Sequence, residues 1–213
     1  MDRTVFEQLE NKYSQHASWA VWNGRDLGDT TVIRDNLRDL KTSVVMVALN
    51  ISRELPGPWG NFHSRKRDNA RKLMYAFNQS PYRGAYMTDI IKDHVEPHAA
   101  KLRNVNWFSH VSTFREEIKD LGANIGTLFV LFGDKVTANF DTHLAKTYPN
   151  RISCRHYSSW GTDADWVEKV WSLLESNSRA MATGCDAPKF FVSDEMRASL
   201  ARLRNQGSPS IGR

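Results

Sequence analysis

The segment Ser43-Val44-Val45-Met46-Val47-Ala48-Leu49 constrains the fold of this chain more than any other. It shows no polar alternation, so a strand formed here has two apolar faces, and both must be covered. That is the pattern of a parallel strand buried between helical layers. Three further stretches have strand character: Gly84–Ile91 (G-A-Y-M-T-D-I-I), Gly126–Phe132 (G-T-L-F-V-L-F) and the short Arg151–Arg155 (R-I-S-C-R). Helical periodicity fills the intervals. The spacing predicts helices over Asp29–Leu40, with Ile33, Leu37 and Leu40 on one face, and over Asp68–Phe77, with Leu73, Met74 and Phe77 inward. It predicts others around Phe114, Ile118 and Leu121, and over Asp134–Thr147. Thr162, with Asp163 and Asp165, caps a helix running to about Ser176, and a last helix covers Asp194–Asn205 before the tail Gly207–Arg213.

Strands alternating with helices predict an α/β fold: a three-layer α/β/α domain around a central, mainly parallel, four-stranded sheet. A length of 213 residues suits one domain. Its core is expected over 43–176, with helices and loops over 1–42 and a C-terminal helix and tail over 189–213.

Several function classes recede on composition. Cys154 and Cys185 form no C-x-x-C pair, so neither a cysteine metal site nor an iron–sulfur cluster has its ligands, and no metal or cofactor is expected. Two thiols, and an N-terminus M-D-R-T-V-F-E-Q without an apolar signal region, predict a reducing cytoplasm. No apolar run approaches the length of a membrane span, and a monomer is expected. The net charge of +5 is compatible with a polyanionic partner.

In a parallel α/β sheet the ligand lies beyond the carboxyl ends of the strands. The residues expected there are Asn50, Thr88, Asp89, Gly133 and His156. A Gly/Pro-rich loop from Asn50 to His63 follows the first strand.

Four segments at these strand ends carry a resemblance. They are V-V-M-V-A-L-N-I-S-R ending near Asn50, Y-M-T-D-I-I around Asp89, L-F-V-L-F-G-D-K-V ending past Gly133, and R-H-Y-S-S-W-G around His156. In this order the chain resembles the uracil-DNA glycosylase superfamily, most nearly its mismatch-specific branch, over roughly 43–176. The resemblance implies that fold and a DNA partner. It implies that Asn50 positions a water, that Phe62, twelve residues later, stacks on an extruded base, and that Thr88 and Asp89 read its edge. His156 then stands for the histidine that stabilises the leaving base. Ser158 and Ser159 stand for a phosphate-gripping loop, and Trp160 for a wedge that fills the vacated stack. Ile51 and Tyr157 replace prolines of the pattern, Ala48 replaces a glycine, and Asp89 replaces an asparagine.

The residue chemistry is compatible with these roles. Breaking an N-glycosidic bond builds positive charge on the sugar and negative charge on the base, so a site needs a placed water, an anion stabiliser and a way to extrude the base. An Asn carbonyl orients water, and an imidazole N–H donates to a base carbonyl. Arg53, Arg155 and the basic stretch from Phe62 to Lys72 are candidate phosphate contacts. Read as a carboxylate, Asp89 only accepts hydrogen bonds; it would repel uracil O4 and suit the exocyclic amine of a cytosine-type base. Prokaryotic antiviral glycosylases of this superfamily, which excise glucosylated hydroxymethylcytosine from phage DNA, suit that reading.

The residues also have plainer readings. On these, Asn50 closes a turn, Asp89 caps a loop, and Phe62 and Trp160 pack as core or loop anchors. The functional alternatives are a non-catalytic DNA-binding module on the same fold, a uracil or mismatch repair glycosylase, and a nucleoside hydrolase.

Overall fold

A computed structural model describes residues 1–64, 69–92, 95–96, 101–102, 105–159, 161–180 (backbone only at 179–180) and 184–205. The described elements run in chain order: α1 (Arg3–Tyr13), β1 (Ser18–Trp19), α2 (Thr31–Asp35), β2 (Lys41–Asn50), α3 (Asn69–Phe77), β3 (Ala85–Ile91), α4 (Trp107–Asp120), β4 (Leu128–Phe132), α5 (Asp134–His143), β5 (Arg151–Cys154), α6 (Asp163–Ala180) and α7 (Asp194–Asn205). The strands form one sheet in the order β1-β3-β2-β4-β5. β3, β2, β4 and β5 are parallel, and only β1 is antiparallel, on β3.

The two-faced apolar pattern of β2 sets the layers. Val44, Met46 and Ala48 share a core with Leu73 of α3, Val167, Val170 and Leu174 of α6, and Leu200 of α7. Val45, Val47 and Leu49 share the opposite core with Phe6 of α1, Phe114 and Ile118 of α4, and Phe140 of α5. Successive side chains of a strand point to opposite faces, so one unbroken apolar run feeds both cores. Helices therefore cover both sides of a mainly parallel sheet. Among the described residues, no helix is long and apolar enough to cross a membrane.

The sheet has five strands rather than the expected four. The added edge, Ser18–Trp19, is two residues long and leaves no periodic trace in the sequence. Its registry is Ser18 opposite Met87 and Trp19 opposite Tyr86, with the Trp19 and Tyr86 rings edge to face at 4.9 Å. The expected helix over Asp29–Leu40 is also broken. α2 stops at Asp35, Asn36 turns its side-chain amide onto the Val32 carbonyl at 2.7 Å, and a separate 3-10 turn covers Leu37–Asp39. A side chain that bonds nearby backbone competes with the helix ladder, and the β-branched run Thr30–Ile33 has little propensity to resist it.

α5 ends at His143, earlier than the expected Thr147, and α6 continues past Ser176 to Ala180. Thr88 and Asp89 lie inside β3, not at its end. Pairing of Asn50 with Ile91 carries the strand two residues beyond Asp89.

Candidate active site

Two chain segments meet at the carboxyl edge of the sheet. Asn50 is the last residue of β2, and His156 follows two residues after β5. Both line a pocket of about 700 Å³, together with Ser52, Arg53, Gly133 and Ser158. That volume lies in the ordinary range for small-ligand pockets.

The orientation of Asn50 is set by its surroundings. Its amide nitrogen donates to the carbonyls of Ile51 at 2.9 Å and Glu96 at 2.8 Å. Both amide N–H bonds are thereby spent, and the side-chain oxygen is left to accept, which is the capacity needed to hold a water.

His156 is fixed with equal definition. Its Nδ1 accepts from the backbone N–H of Ser158 at 3.1 Å and lies 2.7 Å from the Ser158 hydroxyl. A backbone N–H can only donate, so Nδ1 is the acceptor of the ring and the neutral imidazole carries its proton on Nε2. Burial, reinforced by the Lys72 ammonium, pulls the imidazole down to about 4, so it is neutral at physiological pH. Gly133, just past β4 with φ of 101°, makes room for the ring; its amide donates to the Cys154 carbonyl at 2.8 Å.

Phe62 sits in the loop after β2 at a φ of 63°, in the left-handed region that non-glycine residues seldom adopt. Its ring is 8% exposed and meets Tyr157 edge to face at 6.2 Å. Phe62, Asn61, Asn50 and Tyr157 line a recess of about 60 Å³. It adjoins the larger pocket through Asn50, Ser52, Arg53, Asn69 and Tyr157, which line both. Tyr157 also packs edge to face on Phe132 at 5.5 Å, so Phe62, Tyr157 and Phe132 form a continuous aromatic wall.

Asp89 and Thr88 are not among the lining residues of these cavities. Asp89 is 1% exposed, and its Oδ2 accepts from the Asn61 amide at 2.6 Å. Burial raises its carboxyl to about 7, against the opposing pull of the Asn61 hydrogen bond and the Lys92 charge. A fully ionised carboxylate, assumed in the sequence reading, is therefore not its state at neutral pH. Thr88 points to the other face of the sheet, where its hydroxyl and that of Tyr86 each reach Glu117 at 2.8 Å, and Lys92 closes a buried ion pair with Glu117.

The expected DNA contacts are distributed unevenly. Arg53 is half-buried, donates to the His63 carbonyl at 3.1 Å and lines both the recess and the pocket. Arg155 and Ser158 are exposed, and Ser159 is half-buried. Trp160 lies outside the described residues, as do residues 65–68 of the basic stretch. Arg71 and Lys72 are 8% and 7% exposed, so they are packed cations, with Lys72 3.6 Å from Asp163.

Sequence reasoning missed Asn61 altogether. Its position beside Phe62 was the available signal, since the two neighbours line the same recess. Among the described residues no group of three or more histidines, cysteines or acids is placed to hold a metal ion. Comparison with protein-family models, with curated proteins and with solved structures gives no significant match.

Proposed function

We propose that this chain is a monofunctional DNA glycosylase of the uracil-DNA glycosylase type, which flips a base into the pocket and leaves an abasic site. The favoured substrate is a modified cytosine in phage DNA, and the expected setting is a monomer acting in the cytoplasm. The observation that carries the reading is the pairing of Asn50 and His156 on one pocket, each held in a single hydrogen-bonding role. Asn50 offers an acceptor for water, and His156 offers a neutral Nε2–H donor.

These roles divide the reaction. The bond between sugar C1′ and the base nitrogen breaks, and the departing base takes the bonding pair. His156 donates to a base carbonyl as negative charge collects there; a preorganised donor in a water-poor site is a large source of rate. An amide is too weak a base to remove a proton from water, so Asn50 orients the water toward the cationic sugar carbon. Water oxygen then bonds C1′, and its proton passes to the base or to solvent.

The deciding experiment is mass spectrometry of bases released from duplexes carrying uracil, cytosine and C5-substituted cytosines. Asn50→Ala should retain DNA binding and slow single-turnover release by roughly a hundredfold or more. Release at the wild-type rate by this variant would remove Asn50 from the chemistry, and no release from any duplex would overturn the glycosylase reading.

A further inference from the structure

We infer that Lys72 is a positioning residue for His156: its buried ammonium pins the turn that carries the imidazole to the start of α6 and keeps Nδ1 of the ring an acceptor. The inference rests on the glycosylase reading above and deepens it.

Lys72 belongs to a basic stretch, yet its side chain is packed rather than solvated. It is 7% exposed, on α3. A buried lysine needs partners for its charge. Its Nζ lies 3.6 Å from Oδ1 of Asp163, the first residue of α6, and 3.5 Å from the Ser159 carbonyl. That carbonyl closes a turn that begins at His156. The Ser159 N–H donates to the His156 carbonyl at 3.0 Å, and the Ser158 N–H donates to Nδ1 of His156 at 3.1 Å. One ammonium therefore joins α3, α6 and the turn bearing the imidazole.

The turn and the ring share one condition. A backbone N–H can only donate, so Nδ1 must stay unprotonated. A proton there would set two N–H groups against each other, open the turn and take away the orientation of Nε2. A cation beside the turn opposes that proton. Burial is the first cause that holds the ring at about 4, and the Lys72 charge adds to it. The other charged or titratable groups around the ring are Arg53, Glu96, Asp134, Lys135 and Tyr157 of the pocket wall, and the adjacent Arg155. Lys72 is not among the residues lining the pocket, so it acts on His156 without occupying the ligand space.

The ion pair gives the test its sign. Lys72→Met keeps the apolar stem and removes the charge. The titration of His156, followed by nitrogen NMR of the ring, should then move up from about 4 toward the ordinary 6.5. Asp163→Asn removes the counter-charge and leaves the ammonium, so the midpoint should stay where it is or move further down. Simple loosening of the packing would raise the midpoint in both variants, because it exposes the ring. At neutral pH, single-turnover base release by Lys72→Met should fall roughly tenfold or more, the scale of a displaced catalytic group, with DNA affinity and its salt slope unchanged.

An unmoved midpoint or release at the wild-type rate in Lys72→Met overturns the inference, as does a raised midpoint in Asp163→Asn. So does a salt slope reduced by roughly 0.9 in Lys72→Met, which would put the ammonium on a phosphate. Should Lys72→Met fail to fold, the Asp163→Asn midpoint decides. The titrations need no substrate. A wild type that releases no base from any duplex sinks the glycosylase reading, and the two midpoints still decide whether Lys72 governs the ring.

Discussion

Gly133 lies directly against His156: a Cβ built on Gly133 would stand 3.3 Å from the His156 Cβ and 3.6 Å from its Cδ2. The same residue has a φ of 101°, so its lack of a side chain serves both the backbone turn after β4 and the seat of the imidazole. Gly133→Ala should cost about 1–2 kcal/mol in backbone strain alone. It should also displace the ring. Base release should fall by more than the melting curve accounts for, because the donor moves while most of the fold remains. Chemical denaturation alongside single-turnover release checks this; normal release from a destabilised protein would show that the contact is structural only.

The parts of this architecture that were legible in the sequence are those written in unbroken apolar runs or long helical periods. The apolar segment over Ser43–Leu49 announced a strand covered on both faces, and residues 44–49 divide between the two cores. Local competition was less legible. Asn36 breaks the expected helix through its own side chain, and Ser18–Trp19 joins the sheet through pairing with a distant strand. At the site, Asn50 and His156 could be placed because Asn50 closes β2 and His156 comes two residues after β5. Asp89 could not, because the end of β3 depends on its pairing with β2. Its protonation is likewise a property of three-dimensional burial.

His156 should resist protonation. The depressed value of about 4 means that the folded protein keeps a neutral ring at pH values where an ordinary histidine is charged. Nitrogen NMR of the ring should show the Nε2–H tautomer at neutral pH and persist in that form well below pH 6.5. Ser158→Pro would remove the N–H that Nδ1 accepts and should mix the two tautomers. A ring that titrates near its ordinary value, or a predominant Nδ1–H form in the wild type, would contradict the donor role.

DNA affinity should fall linearly with salt on logarithmic axes, since phosphate neutralisation releases counterions. Arg155 is exposed and immediately precedes His156 in the chain, so Arg155→Ala should reduce the slope by roughly 0.9, the contribution of one phosphate contact, with little effect on melting. An unchanged slope in this variant would place the DNA path elsewhere, and a flat response in the wild type would remove nucleic acid as the partner.

Asp89 should leave a signature in stability against pH. Its carboxyl is raised to about 7 in the folded protein, from an ordinary 3.8, chiefly by burial. The charged groups acting on it are Lys92, which favours ionisation, and Glu117, which opposes it. Between about pH 4 and pH 7 the folded chain therefore holds a proton that the unfolded chain has released. Stability from this group is greatest below that window, is lost as pH rises through it, and changes no further above it. A difference of about three pH units corresponds to at most roughly 4 kcal/mol.

His63 and His156 work in the opposite direction. Both are held at about 4 by burial, so the unfolded chain takes up their protons first and the folded state loses stability as pH falls below about 6.5. The histidine contribution is common to the wild type and to Asp89→Asn, and it cancels in their difference. An asparagine has no proton to lose, so the variant should gain on the wild type steadily from about pH 4 to about pH 7 and then hold a constant margin. Urea denaturation across that range measures the difference. Parallel stability curves would mean that Asp89 titrates alike in both states, and that its burial does not govern its protonation.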